Sequence, residues 1–211
     1  MSALARVADA LFPPIPHVAM GPAPDALAAA ADPGINLAVW QRRLPPALAA
    51  ATARLLHAAD GEIRLNVAAD QAAVALAGAL VAAGWPPVPA LVADVAELAR
   101  MAATHMQTGA VDLRLEIITG DACRKFHADY VRLRLITSYA GPGSQWLSNT
   151  DAAALAEGVA LERLELRQLL AGEVALFKGK LLTDSPIIHR SPPIAGTGQR
   201  RLVLVINPAP A

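Results

Sequence analysis

A chain of 211 residues with 18 Lys plus Arg against 18 Asp plus Glu has no net charge at neutral pH. It also has no basic block, so the electrostatic footprint of a nucleic-acid binder is missing. A single Cys excludes an intramolecular disulfide framework and a CxxC-type zinc module.

Hydrophobic residues reach 55%, a share inflated by Ala, and suffice for one core with a helical preface. The longest apolar runs, such as Ala72 to Trp85, fall short of a membrane span. The N-terminal stretch, broken by Pro13 and Pro14, lacks the apolar length and cleavage pattern of a secretory signal. A soluble cytoplasmic protein without membrane or nucleic-acid partners is the expectation, with oligomeric state left open.

Residues 1–34 read as an irregular segment, because six prolines between Pro13 and Pro33 punctuate short helical pieces. Residues 35–211 then read as one domain, with a helical layer over 35–108 and strands over 109–211. In the layer, Ile35 to Trp40 suits a short strand, and Ala47 to Ala58 a helix opened by Pro45 and Pro46. Arg64 to Val67 is a weak strand and Asp70 to Ala83 a helix. Leu91 to Gln107 is amphipathic, with Leu91, Val95, Leu98, Met101 and Met106 near one face.

From Gly109 the period changes to two. Val111 to Ile118 alternates apolar and charged residues, and Tyr130 to Tyr139 sets Val131, Leu133 and Leu135 against Arg132 and Arg134. The two arginines are expected to face outward or to pair with Glu116. Gly141-Pro142-Gly143 forms a corner, and further strands are expected at Glu173 to Lys178, Ile187 to Arg190 and Arg201 to Ile206. The fold class is α+β.

The segment Cys123 to Leu147 concentrates the chemistry. In an extended stretch His127 and Asp129 share one face, with Ala128 turned aside. An imidazole and a carboxylate need a third ligand, and His189, 60 residues after Asp129, is the candidate. Two His and one carboxylate on one face of an octahedron suit iron(II) and leave positions open for substrate and oxygen. The separation fits a double-stranded β-helix of the jelly-roll or cupin type.

Cys123 is a candidate fourth ligand, which would shift the preference toward zinc. Its commonest alternative is a small buried hydrophobe. The trio itself has an alternative as a metal-free polar core network. Arg200 and Arg201, 11 and 12 residues after His189, open the last strand, and at most one faces the site. A guanidinium there would pair bidentately with a carboxylate co-substrate. Thr137 and Tyr139 share the parity of Asp129 and are candidates to line the pocket.

The segments CRKFHADYVRLRLITSYAGPGSQWL, VALFKGK and IIHRSPPIAGTGQRRLVLVIN, with INLAVWQR earlier, resemble domain-of-unknown-function family 1826. That resemblance implies a role in zinc limitation, hence the alternative of a zinc-homeostasis protein without oxygenase activity. A more distant resemblance is to prolyl-hydroxylase-like iron(II) and 2-oxoglutarate oxygenases. It implies His127, Asp129 and His189 as metal ligands, Tyr139 as a pocket residue, and Arg201, or less well Arg200, as the 2-oxoglutarate anchor. The implied reaction is 2-oxoglutarate-dependent oxidation of a small molecule or a protein side chain.

Overall fold

A computed structural model of the chain describes residues 15–210. The first strand, β1 (Val18–Gly21), runs parallel to β2 (Leu37–Trp40). Between them Pro24–Ala31 forms a 3₁₀ turn of helix that buries Leu27 and Ala30. This part of the N-terminal segment is therefore ordered into the sheet, and residues 1–14 of the irregular expectation lie outside the described region.

Helix α1 (Pro46–Ala58) starts at proline, whose fixed φ suits a first turn. It is followed by β3 (Gly61–Ala68), α2 (Ala72–Ala82) and α3 (Pro89–Met106). The α3 face carries Leu91, Val95, Leu98, Ala99 and Ala102, none of them accessible to solvent. Each of the larger three contributes about 1.5–3 kcal/mol by leaving water. The helix stops at Gln107, in the left-handed region at φ 54°.

The remaining elements are β4 (Ala110–Ile118), β5 (Leu133–Ala140), β6 (Gln145–Trp146), α4 (Asn149–Ala156), β7 (Arg167–Gln168), β8 (Val174–Lys178), β9 (His189–Arg190) and β10 (Arg201–Pro208). The larger sheet has the order β1-β2-β8-β5-β10-β4-β3 and the smaller β7-β6-β9. An antiparallel bridge between His127 and His189 adds the residue 127 segment beside β9.

From β4 onward the chain alternates between the sheets: β4 in the larger, residue 127 in the smaller, β5 in the larger, β6 and β7 in the smaller. It then returns to the larger with β8, the smaller with β9 and the larger with β10. Eight segments interleaved in this way, with β4-β10-β5-β8 facing 127-β9-β6-β7, make a double-stranded β-helix, a two-sheet jelly roll. Strands β1, β2 and β3 extend its larger sheet.

Both faces of the larger sheet are buried. One packs under the helices through Leu113, Leu115, Leu133, Leu135, Leu176, Leu202 and Leu204. The other lines the barrel with Ile136, Ala175, Phe177, Val203 and Val205, which meet Trp146, Leu169, Ile187 and Ile194 from the far side. A register shift between Leu202 and Val203 bulges β5 at Tyr139. No helix among the described residues is long and apolar enough to cross a membrane.

Candidate metal centre

The loop that delivers His127 and Asp129 is tied down by backbone and side-chain contacts. Asp121 Oδ1 accepts from the amides of Ile194 (2.9 Å) and Ala195 (2.8 Å), and the Cys123 carbonyl accepts from Ser191 N at 3.1 Å. His127 and His189 exchange backbone bonds of 3.0 Å each way. The guanidinium of Arg190 lies 4.5 Å over the Phe126 ring. Past Asp129 the carbonyl accepts from Lys180 N at 2.9 Å. A Cβ on Gly179 would stand 2.8 Å from that carbonyl oxygen and 2.3 Å from that of Val131, so only glycine fits the approach.

One ligand atom from each of His127, Asp129 and His189 lies within 4.8 Å of the others. The His127 Nε2 is 3.6 Å from Asp129 Oδ1, and the His189 Nε2 is 3.3 Å from Asp129 Oδ2. Each ring places Nδ1 against a carbonyl: Lys125 at 2.9 Å for His127 and Ile187 at 3.3 Å for His189. A carbonyl only accepts, so in the neutral rings Nδ1 carries the proton and the Nε2 lone pair faces the carboxylate, that of His127 toward Oδ1 and that of His189 toward Oδ2. Orientation of this kind is what prepares imidazoles for metal.

Asp129 Oδ2 is buried and has no hydrogen-bond partner among the described residues. A buried carboxylate with one imidazole lone pair turned toward each of its oxygens is unfavourable unless a cation joins them. Ligands about 2.1 Å from an ion at right angles to each other lie ~3 Å apart, and the His189–Asp129 and His127–Asp129 separations are close to that spacing. The three residues pass that test.

Burial pushes the His189 imidazole down to about 4, and its ring stacks edge-on to Phe177 at 4.6 Å. The Asp129 carboxylate draws His127 upward, against the partial burial of that ring. Burial alone would raise Asp129; His127, His189 and Arg134 overcome it and hold the carboxyl below its usual range.

Arg201 is buried and faces the barrel interior, on the same side as Val203 and Val205. Its Nε donates to the Pro142 carbonyl (2.5 Å), Nη1 to Ser191 Oγ (2.9 Å) and Nη2 to Ser138 Oγ (3.3 Å). Gly141, at φ 76° and close against the Arg200 carbonyl, makes the corner that presents Pro142. No carboxylate of the described residues pairs with this guanidinium, and burial lowers it to about 10.

Arg200 points the other way. Its Nη2 donates to the Ala59 carbonyl at 2.8 Å and lies 3.6 Å from Asp60, outside the barrel.

Tyr139 does not line the pocket. It faces the helices with Thr137, and its hydroxyl donates to Asp94 Oδ2 at 2.5 Å. Arg42 grips the same carboxylate with two bonds of 2.7 and 2.9 Å. The parity argument fails because Asp129 lies outside the strand; β5 begins only at Leu133.

Cys123 is exposed, at φ 47°, and is not part of the cluster. The zinc alternative, which relied on its thiolate, has no support in this arrangement.

Arg134 is the residue that the alternation placed on the wrong side. Its Nη1 donates to Asp129 Oδ1 at 2.5 Å and its Nε to Asn207 Oδ1 at 2.9 Å, inside the barrel, while Glu116 pairs with Arg114. With the apolar row buried under the helices, the polar row reads as solvated in the sequence. The signal that corrects this is Ile136, which shares Arg134's row.

The interleaved strands and the His-x-Asp and His cluster define a double-stranded β-helix protein with a candidate metal-binding triad. Residues 21–207 match the family described as protein of unknown function DUF1826, and the chain belongs to that family. A comparison with curated proteins finds no match.

Among solved structures, a Pseudomonas putida prolyl-4-hydroxylase is similar at 13% identity and TM-score 0.43, over 86% of this chain and 95% of that one. AtDAO1, dioxygenase for auxin oxidation 1 from Arabidopsis thaliana in a complex with 2-oxoglutarate, shows 9% identity and TM-score 0.41, over 80% and 74%. A candidate oxygenase from Shewanella oneidensis shows 13% and 0.44, over 92% and 90%.

Proposed function

We propose that this protein is an iron(II)- and 2-oxoglutarate-dependent oxygenase. The observation that carries the reading is the convergence of the His127 and His189 Nε2 atoms on the buried Asp129 carboxylate, whose Oδ2 has no hydrogen-bond partner among the described residues. In the same barrel, Arg201 is a buried guanidinium with no carboxylate partner among the described residues.

His127, Asp129 and His189 would hold the metal. Arg201 would pair with the distal carboxylate of 2-oxoglutarate, with the Ser138 and Ser191 hydroxyls beside it as further donors. Bound iron(II) and 2-oxoglutarate supply the oxidising power for substrate hydroxylation, with oxygen consumed and succinate and carbon dioxide released. Ile136, Trp146, Phe177, Val203 and Val205 keep the barrel dry, which strengthens the Arg201 pairing. The substrate, a small molecule or a protein side chain, would approach over His127, whose side chain is 37% exposed where that of His189 is 6%.

Succinate release from 2-oxoglutarate with iron(II) tests the reading. His127→Ala is expected to abolish it, and Arg201→Met to raise the 2-oxoglutarate KM by about 10²-fold, the worth of a lost charge-assisted pair. Wild-type protein that retains iron(II) yet neither binds nor turns over 2-oxoglutarate would remove the co-substrate from the account.

A further inference from the structure

Asp129 uses its two oxygens unequally. Oδ1 accepts from Arg134 Nη1 at 2.5 Å and lies 3.6 Å from His127 Nε2, whereas Oδ2 is buried, makes no hydrogen bond among the described residues and lies 3.3 Å from His189 Nε2. The guanidinium is anchored at its other end, where Nε donates to Asn207 Oδ1 on β10, and Asn207 Nδ2 reaches Asp112 Oδ2 at 3.5 Å on β4. Three neighbouring strands thus fix the plane of the Arg134 fork, and the fork fixes the carboxylate.

A free carboxylate can hold a metal through one oxygen or both. On a six-coordinate ion, two imidazoles and one oxygen leave three positions open, and a second oxygen would leave two.

We infer that Arg134 is a positioning residue that restricts Asp129 to a single metal-binding oxygen, Oδ2, by occupying Oδ1. The inference rests on the metal reading of the cluster, but not on which reaction follows. It sets the number of exchangeable positions on the ion, and so whether a chelating co-substrate and a third ligand fit together. An arginine that merely filled space would have no such effect.

Manganese(II) serves as the probe, added to the protein without co-substrate and followed by water-proton relaxation. Wild-type protein is expected to bind one ion with three exchangeable waters. Arg134→Gln ends at the position of the arginine Nε, so it retains the contact to Asn207 and loses the one to Asp129. Its inner-sphere relaxivity is expected to fall by about a third at full occupancy, the change from three open positions to two. Arg134→Lys, which still offers a donor to Oδ1, is expected to recover most of that loss.

Arg134→Met is the second deletion should the Gln variant fail to fold, and the same fall is expected. A folded, manganese-loaded Arg134→Gln or Arg134→Met protein with wild-type relaxivity would overturn the inference. Failure of the metal reading itself looks different: wild-type protein would bind no manganese.

Discussion

Replacing Tyr139 by Phe separates the two positions open to that ring, under the helices or in the barrel. In the structure the phenol donates to Asp94 at 2.5 Å, and burial followed by the Asp94 charge raises its pKa well above the ordinary value, so it remains a donor. A hydrogen bond to a charged group contributes about 1.5–3 kcal/mol. Arg42 still satisfies both Asp94 oxygens after the change, which limits the cost to the lower part of that range, about 2 kcal/mol. For a domain of this size ~2 kcal/mol lowers Tm by roughly 4–8 °C. Thermal and urea unfolding measure the loss, and calorimetric titration of the iron-loaded protein without oxygen measures 2-oxoglutarate affinity. Destabilisation with unchanged affinity is expected. Unchanged stability with affinity reduced tenfold would place Tyr139 beside the co-substrate and refute the reasoning.

Other residues make separate predictions. Cys123→Ser is expected to leave metal stoichiometry and affinity at wild-type values in a metal-binding titration, because the thiol lies outside the cluster. Gly179→Ala pushes a methyl group against the carbonyls of Asp129 and Val131, and is expected to cost about 1–3 kcal/mol in urea unfolding and to weaken metal binding. In metal-free protein, His189 has a folded pKa of about 4, below the free imidazole value of 6.5. The unfolded chain takes up the proton first, so this stabilisation is complete above pH 6.5 and is lost as pH falls toward 4. The loss reaches about 3 kcal/mol across that window. It is expected to shrink in His189→Leu when stability is followed against pH; an undiminished acid slope would contradict it.

The barrel is legible where the chain alternates and the strands are long. Val111 to Ile118, Glu173 to Lys178 and Arg201 to Ile206 all announce strands that form. The His-x-Asp spacing with a distant His is visible because ligand chemistry requires those side chains whatever surrounds them. Side-chain direction is not legible in β5. A strand buried on both faces presents its apolar row to the thicker layer, here the helices, so Arg134 in the other row looks solvated while it enters the barrel.

Tyr139 is misplaced by the sequence because its parity is counted from Asp129 across an irregular stretch and because β5 bulges at that residue. The strand Val18–Gly21 is hidden by the surrounding prolines, which mark the ends of a parallel pairing that no local pattern reveals. Arg200 and Arg201 are separated only by the register of β10, which turns one toward Asp60 and the other toward Ser138.

The most direct test of the account is iron(II) loading without oxygen, with the metal counted after removal of excess. One ion per chain is expected for wild-type protein, and none for His189→Ala that remains folded by circular dichroism. A His189→Ala protein that holds iron as the wild type does, or a wild-type protein that holds none, would contradict the claim that His127, Asp129 and His189 form a metal centre.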